Sequence, residues 1–129
     1  MTKIGVPGLR PATFDPVLAS IPLARNFVLE GLGKAAVDRE VALLLTSELV
    51  TNAIRHAGTR FEVEVSPAGD DRVCISVTDA SPVVPQPLAA PPEAQSGRGL
   101  FFVEQYAADW GVEITSAGKR VWFVLPCRD

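Results

Sequence analysis

Apolar residues recur every three to four positions in two stretches of the first half of the chain. The first stretch starts at Ser20, has Pro22 in its opening turn and loses its apolar face at residues 31–33, which predicts a helix with Ser20 as its N-cap. The second stretch follows Asp38, a favourable N-cap, and stops before Gly58, a favourable C-terminal stop. The spacing therefore predicts a second helix over residues 38–57.

An alternating pattern of apolar and polar residues follows the second helix. Phe61, Val63 and Val65 alternate with charged residues, which is the period of a half-buried strand. A turn over residues 67–71 predicts that the chain returns as a second strand, and Asp79 at its end has the parity of the apolar residues. We therefore expect this carboxylate to point toward the core. A second hairpin is predicted near the C-terminus, with strands at 110–115 and 120–125 around the turn 116–119.

The segment between the two hairpins is rich in proline and has no period. Residues 80–96 therefore predict a long loop, and loops of this length in compact domains are usually functional lids or disordered. Gly97, Arg98 and Gly99 end the loop, and Leu100 opens a third predicted helix. The order helix, helix, hairpin, loop, helix, hairpin predicts an α+β fold, in which helices cover one face of an antiparallel or mixed sheet.

Composition limits the classes of function. The 129 residues suffice for one domain, which we place at 14–126, with tails at 1–13 and 127–129. A net charge of −3 and an isoelectric point near 5.1 argue against a direct nucleic-acid partner. The sequence offers neither the apolar core of a signal peptide nor a membrane span, so we expect a cytoplasmic protein without a membrane partner. Cys74 and Cys127 lack metal-ligand spacing, and we expect a small buried hydrophobe and a thiol in the tail.

Polar side chains interrupt the apolar face of the second helix. Val41, Leu45, Glu48, Asn52 and His56 form one stripe, so Glu48 and Asn52 present their head groups side by side toward the sheet. An unpaired carboxylate there would cost several kcal/mol. The face must therefore meet water, a cation or a ligand, and Mg²⁺ bridging to a nucleotide would satisfy both residues.

An ordinary ion pair is the alternative for Glu48. Arg55 or Arg60 would be the partner in that case, and either would neutralise the carboxylate. Spacing alone does not separate this alternative from a metal site.

Four separated motifs resemble those of the Bergerat-fold ATPases, the superfamily of DNA gyrase, the Hsp90 chaperones, histidine kinases and mismatch-repair proteins. In particular, they are similar to those of the small bacterial anti-sigma factor serine kinases. The matching segments are residues 48–56 for the N-box, Asp79 for the first glycine box, residues 97–100 for the second and residues 118–123 for the closing strand. The resemblance covers about residues 14–126.

The resemblance implies a role for each motif residue, with ATP and Mg²⁺ as ligands. Asn52 would coordinate Mg²⁺, Glu48 would act as general base, and Asp79 would accept a hydrogen bond from the adenine amino group. The second glycine box would bring backbone N–H groups to the phosphates, beside a helix N-terminus that favours anions. The nucleotide-binding residues implied are Asn52, Asp79, Gly97, Arg98, Gly99 and Leu100.

Two positions depart from the family's pattern. Asp79 is followed by Ala80, Ser81 and a proline where the superfamily usually has glycines. Lys119 stands where many relatives have threonine, which removes a hydroxyl from the base pocket and leaves Thr115 and Ser116 as the candidates to replace it.

The leading interpretation is an ATP-binding regulatory protein. It would phosphorylate a serine or threonine on an anti-sigma antagonist and, in its alternate state, bind a sigma factor. One alternative is a nucleotide-gated binding module without useful turnover, and another is an interaction domain without a nucleotide. Trp110, Trp122 and Phe123 are expected to pack in the core and sheet, or else to form the surface of a homodimer.

Overall fold

Helices cover one face of a five-stranded antiparallel sheet in a computed structural model, which describes residues 10–81 and 102–128. The sheet order is β1-β2-β3-β5-β4. A third helix, α3, includes residues 102–106. The other elements are β1 (Ala12–Phe14), α1 (Ser20–Leu32), α2 (Arg39–Asn52), β2 (Phe61–Pro67), β3 (Arg72–Asp79), β4 (Asp109–Thr115) and β5 (Gly118–Pro126). The predicted α+β fold is confirmed, and both predicted hairpins are present.

Helix α1 has the predicted extent but not the predicted N-cap. Ser20 is the first helical residue, and Ala19 holds the cap position without a side-chain hydrogen bond. The preceding turn takes over part of the cap's role, because the backbone N–H of Ser20 donates to the carbonyl of Val17 at 2.9 Å. The prediction of Ser20 as the cap was therefore wrong.

Helix α2 begins at the predicted cap and changes geometry before it stops. Asp38 Oδ1 accepts a hydrogen bond from the backbone N–H of Val41 at 3.1 Å. After Asn52, the residues Ala53–Ala57 form a π-helical turn, which Gly58 ends in the left-handed conformation at φ 64°. Extra turns of this kind are frequent at functional sites, and this one directly follows a predicted site residue.

The sheet contains one strand that the sequence did not reveal. Strand β1 pairs with β2 in the register Phe14 with Phe61, and the rings of these two residues stack at 5.6 Å. Residues 12 and 13, assigned to the N-terminal tail, thus belong to the sheet. At the other end, the backbone N–H of Cys127 donates to the carbonyl of Asp71 at 2.7 Å, so this tail too is tied to the domain.

The core lies between the helices and one face of the sheet. Phe123 is fully buried there and Trp110 packs against the same cluster from a half-buried position, which confirms core packing for both. Trp122 lies on the opposite face, where its indole covers Gly111 so closely that a Cβ at position 111 would be 2.6 Å from it. In residues 10–81 and 102–128, no helix combines the length and apolarity of a membrane span.

Candidate functional site

Two charged side chains meet at the end of the core. Asp79 closes β3 and Lys119 lies opposite it in the β3–β5 register. Lys119 Nζ donates to Asp79 Oδ1 at 3.0 Å, and both residues are only 6% exposed. The predicted inward direction of Asp79 is confirmed, and its charge is neutralised by a buried lysine.

Hydrogen bonds from the following residues fix the carboxylate of Asp79. The backbone N–H of Ser81 donates to Asp79 Oδ1 at 2.8 Å, and Lys119 Nζ donates a second hydrogen bond to the carbonyl of Ser81 at 3.4 Å. Such local side-chain to backbone bonds stabilise a turn where the strand ends. We call Asp79, Ser81 and Lys119 the Asp79–Lys119 cluster.

The loop after α2 reaches the same strand end. The backbone N–H of Ala80 donates to Thr59 Oγ1 at 3.1 Å, although 21 residues separate the two positions. This bond ties the exit of the π-helical turn to the end of β3. The π-helical turn, which contains the last residues of the N-box, therefore lies near the end of β3, where the first glycine box begins.

Gly118 allows β5 to start against the end of β3. Its φ of 147° is one that L side chains rarely adopt, and an added Cβ would overlap the carbonyl oxygen of Asp79 and the backbone of Ala80. No side chain fits between the two strands at this point. The absence of a Cβ is thus what places Lys119 beside Asp79.

Glu48 and Asn52 lie one turn apart on α2, and both are half-buried. Within the described ranges, neither side chain has a hydrogen bond or an ion pair. Arg60, one of the two suggested partners of Glu48, instead pairs with Asp15 at 3.2 Å on the surface. We call these two residues the Glu48–Asn52 pair.

The donor types of the Glu48–Asn52 pair fit a hard cation that keeps most of its water. Mg²⁺ binds oxygen and commonly takes only one or two carboxylates together with substrate phosphates. One carboxylate and one amide oxygen on adjacent helical turns meet that requirement. In the part of the chain that the structure describes, no group of three or more His, Cys, Asp or Glu residues could hold a metal.

Four of the predicted site residues are not among those that the structure describes. Gly97, Arg98, Gly99 and Leu100, together with the predicted lid, lie outside the described residues. His56 is exposed on the π-helical turn. It is therefore not buried beside the Asp79–Lys119 cluster.

Sequence reasoning missed the most buried polar contact of the site. It treated Lys119 as the loss of a hydroxyl, whereas the lysine supplies an ammonium to Asp79. The signal was available, because Lys119 shares the parity of Val121 and Phe123, which are core residues. Thr115, a candidate replacement for the hydroxyl, instead accepts a hydrogen bond from the N–H of Ala117 in its own turn at 3.2 Å.

The two cysteines lie away from the Asp79–Lys119 cluster. Cys74 and Cys127 are both free thiols. Burial raises the pKa of Cys74, an effect that the nearby guanidinium of Arg120 partly offsets, and burial also raises the pKa of Cys127. Both therefore stay protonated at neutral pH, when thiols are weak nucleophiles.

Comparison with known proteins gives one family. A model of the histidine kinase-, DNA gyrase B- and HSP90-like ATPases matches residues 37–129. The matched region includes α2, the π-helical turn and strands β2 to β5, and with them both the Glu48–Asn52 pair and the Asp79–Lys119 cluster. A search of curated proteins found no match.

Proposed function

Because the chain belongs to the histidine kinase-, DNA gyrase B- and HSP90-like ATPases, we propose that it is an ATP-binding regulatory protein that phosphorylates a serine or threonine of an anti-sigma antagonist. In its alternate state it binds a sigma factor. The Glu48–Asn52 pair carries the proposal, because two polar side chains on a core helix have no partner within the described chain. A half-buried carboxylate and amide without partners are suited to a ligand.

Each residue has one task in the proposed reaction. Asn52 holds the metal, and Mg²⁺ when bound would neutralise charge on the phosphates. Glu48 accepts the proton of the attacking hydroxyl. Asp79 receives the amino group of adenine, and residues 97–100 contribute backbone N–H groups to the phosphates. Catalysis on these terms consists mainly of positioning and charge stabilisation.

A nucleotide-gated binding module is the second candidate, and a surface feature favours it. Val17, Leu18 and Leu23, at and before the start of α1, are 51%, 66% and 56% exposed. Exposed apolar side chains that are close along the chain can contribute to a protein-binding surface. A module that only binds needs this surface and a nucleotide, but it has no use for a general base.

Replacing Glu48 by glutamine separates the two candidates. The substitution keeps the size of the side chain and removes its basicity, so ATP binding should persist while phosphoryl transfer falls by about 10²–10⁴-fold. The measurement is a single-turnover assay with labelled ATP and candidate antagonist proteins. Glu62→Gln is the matched control, since Glu62 is exposed on β2, and it should transfer phosphate at the parent rate.

Three results would change the assignment. Transfer by Glu48→Gln at the parent rate would show that the carboxylate is not the base. If the parent binds ATP and a sigma factor but transfers phosphate to no antagonist, the chain is a nucleotide-gated binding module. A parent that binds no adenine nucleotide contradicts both candidates.

A further inference from the structure

Lys119 has more hydrogen-bonding capacity than its partners use. An ammonium carries three N–H donors. Two of them reach Asp79 Oδ1 and the carbonyl of Ser81. Within the described ranges the third has no acceptor, so one donor is left for a ligand.

Asp79 has complementary capacity. Both hydrogen bonds to its carboxylate, from Lys119 Nζ and from the N–H of Ser81, end at Oδ1. No donor of the described residues reaches Oδ2. The Asp79–Lys119 cluster therefore presents one acceptor, Asp79 Oδ2, beside one donor, the third N–H of Lys119, at the end of the sheet.

The net charge of the cluster indicates the chemistry of the ligand. One carboxylate and one ammonium at 3.0 Å sum to zero, so the cluster has no excess charge with which to attract a phosphate. A neutral group that offers an adjacent donor and acceptor is the better match. The pairing edge of adenine has this arrangement, with the amino group at N6 as donor and the ring nitrogen N1 as acceptor.

We propose that Lys119 determines the base specificity of the site, by donating its third N–H to N1 of adenine while Asp79 accepts from the N6 amino group. This inference rests on the proposed nucleotide-binding function and adds to it a residue that the sequence analysis counted as a loss. Guanine fits less well, because at the corresponding positions of its pairing edge the O6 carbonyl is an acceptor and N1–H is a donor, which reverses the adenine pattern. Lys119 thus belongs to the base-binding site and donates a hydrogen bond to N1 directly.

The backbone supports this role. Gly118 brings the backbone of β5 against the end of β3, and Lys119 is 6% exposed, with its side chain held by its hydrogen bonds to Asp79 and Ser81. A donor that is held in place before the ligand arrives loses less entropy on binding. The hydrogen bond to N1 should therefore contribute strongly to affinity.

The test replaces single atoms of the ligand and uses the full chain. Calorimetry with Mg²⁺ compares ATP with its 1-deaza analogue, in which a C–H group replaces N1. The parent should bind the analogue about 10- to 100-fold more weakly, because a hydrogen bond from a charged donor is lost. Lys119→Met should bind the two nucleotides within about twofold of each other, since it has no donor to lose.

Matched variants identify the cause of the change. Lys34→Met removes an exposed lysine and should retain the preference of the parent for ATP over the analogue. Lys119→Arg keeps a charged donor and should retain part of that preference. If Lys119→Met does not fold, the parent comparison still tests whether N1 accepts a hydrogen bond, and Lys119→Arg tests whether residue 119 donates it.

Several outcomes would overturn the inference. Equal affinity of the parent for ATP and the 1-deaza analogue would show that N1 receives no hydrogen bond from the protein. Tighter ATP binding by Lys119→Met would show that the lysine competes with the base for Asp79. A parent preference for GTP would show that the cluster recognises guanine and not adenine. A parent that binds no nucleotide would contradict the proposed function first, and this inference with it.

Discussion

The Asp79–Lys119 cluster and the Glu48–Asn52 pair lie in one domain but differ in how they are bound to it. In the cluster, each charged side chain is almost fully buried and holds hydrogen bonds at 2.8 to 3.4 Å. In the pair, both side chains are half-buried and have no partner in the described ranges. The difference indicates that the cluster belongs to the fold as well as to the site, whereas the pair is available to a ligand. Substitutions should therefore affect stability at the first and ligand binding at the second.

Removing the charge of Asp79 should have the largest effect. Asp79→Asn leaves the ammonium of Lys119 buried without its counter-charge, and breaking a buried pair in this way costs about 3–5 kcal/mol of unfolding free energy. The measurement is urea unfolding without nucleotide. Glu113→Gln is the control, because Glu113 pairs with Arg120 at 2.9 Å but is 59% exposed, and its loss should stay below about 1 kcal/mol. Equal losses in the two variants would remove the distinction between the cluster and a surface pair.

Replacing Asn52 should leave the free protein almost unchanged and reduce its response to nucleotide. Asn52→Ala should shift the unfolding free energy by less than about 0.5 kcal/mol in the absence of ligand. With Mg²⁺-ATP at 100 times the parent's dissociation constant, the parent should gain about 2.7 kcal/mol and the variant clearly less. Thermal unfolding with and without nucleotide measures both quantities. Asn26→Ala, on the exposed face of α1, should respond to nucleotide as the parent does, and a normal response of Asn52→Ala would remove Asn52 from the site.

The bond between Thr59 and Ala80 should have the smallest effect of the three. Thr59→Val keeps the shape of the side chain and removes the acceptor, at a cost of about 1 kcal/mol. Hydrogen exchange of the Ala80 amide should become faster in Thr59→Val, since this amide loses its hydrogen-bond partner. Thr59→Ser retains a hydroxyl and should keep that amide protected. Unchanged protection in Thr59→Val would mean that the loop after α2 does not hold the end of β3.

Local signals in the sequence predicted most of the fold. Asp38 and Gly58 correctly predicted the two ends of the second helical segment, because capping interactions involve residues that are close in sequence. Strand β1 was missed because its three residues, Ala12–Phe14, are too few to show a period, and their pairing with β2 depends on a distant partner. Short edge strands of this kind are defined by tertiary contacts.

One part of the candidate site could be predicted from local sequence and the other could not. The spacing of Glu48 and Asn52 needs only the geometry of one helix, so the pair could be found from sequence. The contact of Lys119 with Asp79 needs in addition the sheet order, since β5 rather than β4 lies beside β3. Parity placed Asp79 on the core face and would have placed Lys119 there as well, but it could not say that the two residues are neighbours across 40 residues of chain.

Positions 118 and 119 of β5 differ in which substitutions the backbone around them can accept. At 118 every other amino acid brings a Cβ into the backbone of Asp79 and Ala80. Only glycine therefore fits at this position. At 119 only the side chain takes part in the cluster, so a substitution there changes the partner of Asp79 without adding an atom to the contact between the two main chains. Position 118 is therefore fixed by the backbone around it, whereas position 119 is constrained by the charge of its partner Asp79.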